Sequence, residues 1–483
     1  MSRVNITTRR HPLYTVWASR WEFFLSSYLG GEDYIATNLF QYFKEGDKEF
    51  AARVQRAYRE NHSKRVVDLV NSYLFKEEPI RNTDNALLRE FQENADGQGH
   101  TISRFMRAAS IWASVLGRVY IVVDKPALDD EERTGTQADN LKARPYCYTI
   151  MPQNVLDIAF DEAGRVKWAL VREEYRDDDD PFTAADQPAV RYRLWQKGSW
   201  MLFSDTGQPL DQGETGLDVV PIIPLDNEEL TAFVGQSLVA DIAYLDRAIF
   251  NNWSRLDTIV CEQTFSQLIF PVEGLAADIV ENPALREQFM TLATNRILLY
   301  SAAAQAAPQF ISPDASQAEF ILSMLEKQTK QLYATLGLQG ETGTEAKSQS
   351  GVAKAYDFEK LNKLLAAKAD NLEAAEKTIY ELAAQWLNVG QVEVVVDYPD
   401  DFDVKSLMDE IEMAERLSLM DISATFKKEL DKLIVAKALP KLSEKTRRQI
   451  DKEIDTRAEE AEEAVKQPVF DFDAQPNPFN END

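Results

Sequence analysis

Little in this sequence invites covalent or metal chemistry. Among 483 residues there are two cysteines, Cys147 and Cys261, and three histidines, His11, His62 and His100. Two cysteines this far apart exclude a disulfide framework and fit a reducing compartment. No histidine lies near a cysteine in sequence, so the usual zinc spacings are missing. There is no G-x-S-x-G, and no G-x-G-x-x-G follows a strand pattern. The nearest approach to a phosphate loop is Gly340 to Ser348, which ends Lys347-Ser348. It has Ala346 where glycine is required, and it follows a helix pattern where a phosphate loop follows a strand. No apolar run approaches the ~20 residues of a membrane span. Met1 to Arg10 has no apolar stretch, so no secretory signal is expected. Basic excess is missing too: Lys and Arg number 53 against 80 Asp and Glu, for a net charge of −27. That argues against wrapping nucleic acid by counterion release, which needs clustered cations. It leaves room for an acidic surface that DNA passes without sticking.

What the sequence does carry is helix, most clearly between residues 314 and 398. One helix pattern runs from Asp314 to Leu336 and stops at Gly337. A polar loop follows through Gly340, Glu341, Thr342, Gly343, Thr344, Glu345, Ala346, Lys347 and Ser348. Ser350-Gly351 then opens a second pattern that reaches Asn388. Its apolar residues Leu361, Leu365, Leu372, Ala375, Ile379, Leu382 and Trp386 recur at spacings of three, four or seven, which is one helical face. No proline interrupts it, and ~38 residues at ~1.5 Å each give a rod of roughly 57 Å. Gly390 is expected to end it, before a strand over residues 392–397. Nothing in this block looks like a catalytic pocket.

Earlier in the chain, residues 13 to 29 place Trp17, Trp21, Phe24 and Tyr28 on one helical face, expected in a core. A helix is expected from Phe50 to Phe75, closed by Pro79. Another is expected over 84–95 with Asp84 as its N-cap, and a third over Thr101–Leu116, ended by Gly117. The first 117 residues thus read as helical, and the β-branched run Arg118–Asp124 begins a sheet. Residues 125–144 read as a surface loop. Strands are expected at 146–151, 155–160, 166–175, 190–196, 199–204 and 219–223. The acidic run Asp177 to Asp180 reads as a solvated tip rather than a metal site. A helix capped by Ser237 follows to residue 258, with Leu238, Ile242, Leu245, Ile249 and Leu256 on its apolar face. A mixed segment, 259–313, holds strands at 266–272 and 296–300, an acidic helix near 274–292 and an Ala-rich coil. Beyond Pro399, helices are expected at Val404–Leu419, Ser423–Ala438 and Ser443–Glu463. The last 27 residues hold 8 acids against 2 bases and three prolines, the composition of a disordered tail. The fold class is α+β, mainly helical.

Several stretches resemble the portal proteins, or head-to-tail connectors, of tailed bacteriophages. Val67 to Ile80 resembles the portal segment in which a helix ends before a short Pro-Ile strand, here with Lys76-Glu77-Glu78 in place of a glycine-containing turn. Ala113 to Asp124 is similar to the helix, glycine and strand that enter the wing sheet, and Tyr148 to Val155 to the proline-turn strand pair after it. Asp241 to Asp257 resembles the first stem helix, and Ser350-Gly351-Val352-Ala353-Lys354 the signature that opens the long helix. The order of these stretches over residues 30 to 400 carries more than any one of them.

The resemblance implies a ring, usually of twelve copies, at one capsid vertex, with double-stranded DNA packaged and ejected through its centre. Residues 1–235 would hold the wing, 236–258 and 314–336 the stem helices, and 259–313 the clip. Residues 337–350 would be the tunnel loop facing DNA, and 351–399 a long kinked helix and a wing strand. Residues 400–460 would be the crown, and 461–483 the acidic tail. Implied partners are the terminase large subunit, the head–tail adaptor, and major capsid and scaffolding proteins, with no membrane and no cofactor. The location would be the virion, reached from the host cytoplasm during assembly. Lys347 and Lys354 would supply weak, salt-sensitive contacts to DNA, and the loop glycines would let it shift. On this reading the chain is no enzyme. The rival readings are a capsid-associated adaptor or minor head protein, and a metal-dependent enzyme using clustered carboxylates.

Overall fold

The structure is a computed structural model. It describes all residues except 1–4, 127–143, 177, 179, 265–266, 273–281, 284–296, 302–308, 312–315, 339–350, 391, 401, 403–423, 439–443 and 467–483. The chain divides into two compact units, Met1–Phe402 and Asp403–Asp483.

In the first unit, α1 (Tyr14–Leu29) and α2 (Gly31–Asn38) are followed by α3 (Asp47–Arg56) and α4 (His62–Leu74). The single helix expected over 50–75 is therefore two. Asn61 fixes the turn at the break. The Asn61 side chain accepts from Lys64 N at 2.8 Å, which caps α4, and donates to Tyr28 O at 2.9 Å, which ties the turn to α1. A strand, β1 (Ile80–Thr83), follows Pro79, where the periodicity read only helix and the resemblance implied a short Pro-Ile strand. Next come α5 (Ala86–Glu93) and α6 (Ile102–Leu116). The cap of α5 is Asn85, not Asp84: its side chain accepts from Leu87 N and Leu88 N. α6 is capped by Thr101 and ends at Gly117, as expected.

Strand β2 (Arg118–Asp124) lies between β3 (Tyr146–Ile150) and the later β9 (Ile222–Asp226), antiparallel to both. A second sheet is a five-stranded meander: β4 (Val155–Phe160), β5 (Val166–Tyr175), β6 (Ala189–Gln196), β7 (Ser199–Ser204) and β8 (Pro209–Glu214). No strand was expected at β8, because Pro-Leu-Asp-Gln-Gly-Glu has no β-branched residue. It forms as a largely exposed edge with its proline at the first position, where no ladder donor is lost. β9 lies three residues later than the expected 219–223, and as an edge strand it tolerates Pro224.

Helix α7 (Ala240–Thr264) leads to a small sheet of β10 (Gln267–Val272), β11 (Ile297–Ser301) and β12 (Gln309–Ile311). β10 pairs parallel with β11 and antiparallel with β12, where only coil was expected. The acidic helix expected near 274–292 lies almost wholly outside the described residues. Then come α8 (Ser316–Thr335), α9 (Gly351–Leu387) and β13 (Val394–Asp397). α9 ends earlier than Gly390. Asn388 takes φ +53 and Val389 N donates back to Ala384 O at 3.2 Å, a left-handed stop that Asn tolerates. β13 pairs antiparallel with β1, closing the unit across more than 300 residues of sequence.

One core runs through this unit. β2 is buried on both faces from Val119 to Val123, α1 contributes Trp21, Phe24 and Tyr28, and α9 contributes Leu361, Leu365, Leu372 and Ile379. Fully burying each of these apolar side chains stabilises by about 1.5–3 kcal/mol. Trp17 is only partly buried at its margin.

The second unit contains α10 (Ala424–Ala438) and α11 (Glu444–Lys466), close to the expected helices. Lys428 and Lys432 of α10 both reach Asp455 of α11, at 3.0 and 2.6 Å. The helix expected at 404–419 and the tail beyond 466 lie outside the described residues.

Candidate functional site

The segment singled out in the sequence, Gly340 to Ser348 with Ser350, lies outside the described residues. Gly351 opens α9, and Lys354 sits in its first turn. What the structure does give is the mount of that segment. On one side Gly337 takes φ +73, Leu338 N returns to Tyr333 O at 2.9 Å, and Leu338 is buried. On the other, Lys360 donates to Thr335 O at 2.7 Å, and Leu361 is buried next to it. A cation on the last carbonyls of α8 is a favourable cap. The chain thus leaves α8 and comes back to its end. The excursion between includes nine residues of α9 before Lys360, roughly 13 Å of rod.

Beyond that return, α9 is clamped by three polar contacts along its length. Lys368 is buried and donates to Ser114 Oγ at 2.8 Å and Asn227 Oδ1 at 2.6 Å. Burial with only neutral partners lowers its ammonium to a pKa of about 7. Two turns on, Glu376 is fully buried, accepts two bonds from Arg81 of β1, and accepts from Tyr398 Oη at 2.6 Å. Near the end of the helix, Trp386 Nε1 donates to Val123 O of β2 at 2.9 Å. No sequence reading singled out Lys368 or Glu376.

Where α7 begins, two backbones meet without side chains. A Cβ on Gly117 would lie 2.1 Å from Gly235 O, and one on Gly235 would lie 2.2 Å from Gly117 O. Gly117 also holds φ +86, so its glycine is required twice over. Ser237, the expected cap, accepts from Val239 N at 3.1 Å and donates to Val115 O at 2.6 Å. Ser114, Asn227 and Ser237 thus join α6, the turn after β9, α7 and α9 at one point. Gly117→Ala is expected to cost about 3 kcal/mol of unfolding free energy, read by urea titration.

Further along α7, Asp246 is completely buried, although the pattern placed it outside the apolar face. It accepts from Arg59, from Ser63 N at 2.9 Å and from Ser63 Oγ at 2.6 Å. Arg59 lies over the Tyr34 ring at 3.8 Å. His62 beside it meets Tyr333 Oη of α8 at 3.2 Å, and burial lowers its pKa. Asn252 of α7 donates to Gln328 of α8 at 3.0 Å. The two helices are therefore fixed to the α3–α4 turn and to each other by polar contacts.

Among the described residues, one cleft of about 490 Å³ and another of about 550 Å³ open on the first unit. The first is lined by Asp124, Tyr148, Glu173, Arg191 and Arg193. Of the three arginines that line it, Arg191 and Arg193 are spent on Glu173 at 2.7 and 2.6 Å, and Arg172 on Glu174 at 2.7 Å. The second lies between α9 and β9 and has an apolar floor with Asn371, Thr378 and Gln385. Among the described residues no group of His, Cys, Asp and Glu is placed to hold a metal ion. The run 177–180 lies partly outside them. Cys147 and Cys261 are free thiols.

No family model matches the chain, and no curated protein matches it by sequence. Among solved structures it is similar to a chain in the neck of an empty gene transfer agent particle with C6 symmetry. That likeness has TM-score 0.42 and 11% identity, and covers 82% of this chain and 97% of that one. It is also similar to a chain in the neck of a native particle with C12 symmetry, at TM-score 0.41 and 13% identity over 76% and 88% of the two chains. A third likeness, to a chain of the native gene transfer agent virion, has TM-score 0.40 and 13% identity over 80% and 95%. At TM-scores below 0.5 these likenesses do not establish a common fold.

Proposed function

We propose that the chain is the subunit of a portal: a ring at one vertex of a phage-like capsid through which double-stranded DNA enters and leaves. The observation that carries this reading is the return of the chain at Thr335 and Lys360. It gives the helix of 37 residues that follows the polar, glycine-bearing sequence 339–350 a fixed start against α8. A segment that meets a moving polymer needs such a rigid base.

The remaining parts take their roles from the same reading. Residues 1–235 form the wing, α7 and α8 the stem, the small β10–β12 module the clip, and the second unit the crown. The clip faces the terminase large subunit and later the head–tail adaptor. Capsid and scaffolding proteins surround the wing. The net charge of −27 suits a channel that centres a polyanion by repulsion and lets it slide in both directions. The subunit performs no catalysis, and the energy comes from the separate terminase motor.

The test is electron microscopy and native mass of the full chain, alone and with capsid and scaffolding proteins. Rings with a central hole and about twelvefold symmetry are expected. A chain that stays monomeric with all of these partners overturns the reading.

A further inference from the structure

Two exposed surfaces on the α7–α8 pair carry groups of opposite charge. The first is a ledge where α2, its following turn and α7 meet. Arg247 of α7 lies over Phe23, Phe40 and Tyr244, at 4.5, 5.4 and 5.3 Å from the ring centroids. Phe40 is 54% exposed and Tyr244 48%. Among the described residues no carboxylate pairs with Arg247; its polar contact is a long one to Asn38 Oδ1. The ledge is thus an aromatic surface with a cation and no anion.

The second surface is a stripe on α8. Glu319, Leu322 and Glu326 are exposed at spacings of three and four, so they share one face. Among the described residues neither glutamate has a basic partner. The stripe is an apolar residue flanked by two anions, with Lys330 one turn beyond Glu326 on the same face.

Helix geometry puts these surfaces on opposite flanks. α8 meets α7 through Gln328. Glu319 is nine residues from Gln328, which at ~100° per residue is about half a turn around the helix. On α7, Arg247 is five residues from Asn252, the partner of Gln328, or about 140° around. The ledge therefore looks away from α8, and the stripe looks away from α7. Complementary patches on opposite flanks of one body cannot meet within that body. They can meet between copies, head to tail, and such a contact closes a ring where the rotation it imposes allows.

We infer that the Arg247 ledge of one copy seats on the Glu319–Leu322–Glu326 stripe of the next. The occupant of each surface is a second copy of this chain. The inference rests on the portal reading and adds which faces make its ring. Cation, aromatic rings and carboxylates together make a contact that is specific in orientation: like faces repel, so a two-fold dimer is disfavoured.

The test is a charge swap in the full chain, read by native mass and microscopy, with far-UV circular dichroism as the check on folding. Arg247→Glu alone and the double change Glu319→Arg/Glu326→Arg alone are each expected to reduce the ring fraction at least tenfold. Each variant has one altered face and one original face. Mixing the two in equal amounts restores opposite charges at every contact of an alternating ring, so rings are expected to return. Rings from either variant alone at the wild-type level overturn the inference but leave the portal reading standing. So does a mixture of correctly folded variants that stays unassembled. Wild-type chain that forms no ring with capsid and scaffolding proteins present overturns both.

Discussion

Replacing Asp246 with alanine is expected to lower the unfolding free energy by about 3–5 kcal/mol, the usual result of orphaning one member of a buried ion pair. Asp246 has no exposed surface, and the Arg59 side chain it holds is 4% exposed. The substitution leaves a guanidinium over Tyr34 with Ser27 O as its remaining acceptor, and removes both bonds to Ser63. The α3–α4 turn and α7 lose their shared anchor together. Asp246→Asn keeps an acceptor for Ser63 and gives up the charge, so its loss should be smaller. The double change Asp246→Leu/Arg59→Met should lie nearer the wild type than Asp246→Ala does, because no charge is stranded. Urea unfolding at fixed protomer concentration measures all three. A loss below ~1 kcal/mol for Asp246→Ala would mean that Arg59 turns out to water.

The second large effect is one of pH, and its sign is unusual. Stability of the wild-type chain is expected to rise between pH 7 and about 9.5 by on the order of 3 kcal/mol at one group, Lys368. Burial brings this lysine down to about 7 from an ordinary value of 10.5. Above pH 7 the folded chain releases that proton while the unfolded chain keeps it up to about 10.5. The unfolded state binds more protons throughout that window, so raising the pH favours the folded state. Below pH 7 both states are charged, and the full cost of the buried ammonium is present. The gain stops near pH 10. Tyr34 and Tyr120 are pushed up to about 12 by burial, so the unfolded chain ionises its tyrosines first. Lys368→Met should flatten the rise between pH 7 and 9.5 and stabilise the chain at pH 6.5. The comparison of the two urea-midpoint curves decides it: parallel curves would mean that Lys368 is not the group responsible.

These two residues show what was legible in the sequence and what was not. The boundaries of α6, α8 and α9 and most of the strands followed from period, caps and glycine stops, which are local rules. The apolar stripe of α9 jumps seven residues from Leu365 to Leu372, and buried Lys368 shares that gap with the small side chain of Ala369. On α7 the jump from Ile249 to Leu256 likewise holds buried Asn252. A seven-residue gap in an apolar stripe is thus a visible sign of a buried polar group, although not of its partner. Asp246 had no such sign, because it lies beside the stripe and is covered by the α3–α4 turn. The helix expected over 50–75 failed for the same reason. Its break exists to bring Arg59 inward to a residue 187 positions away, and no window of neighbouring residues contains that fact. The segment 340–348 could be picked out by composition alone, whereas its mount, Lys360 on Thr335, depends on a contact between two helices.

The pairing of β1 with β13 also has a consequence for biosynthesis. Ile80 faces Asp397, so the first strand made must wait for a partner more than 300 residues later. At ~5–20 residues per second that delay is about 15–60 s. During it Arg81 has no Glu376, and the groove that receives α9 stands open. The N-terminal helices can collapse early, because their contacts are local, but the unit cannot close until almost its whole length has left the ribosome. A nascent or truncated chain therefore has no seat for the long helix and no fixed base for the segment ahead of it.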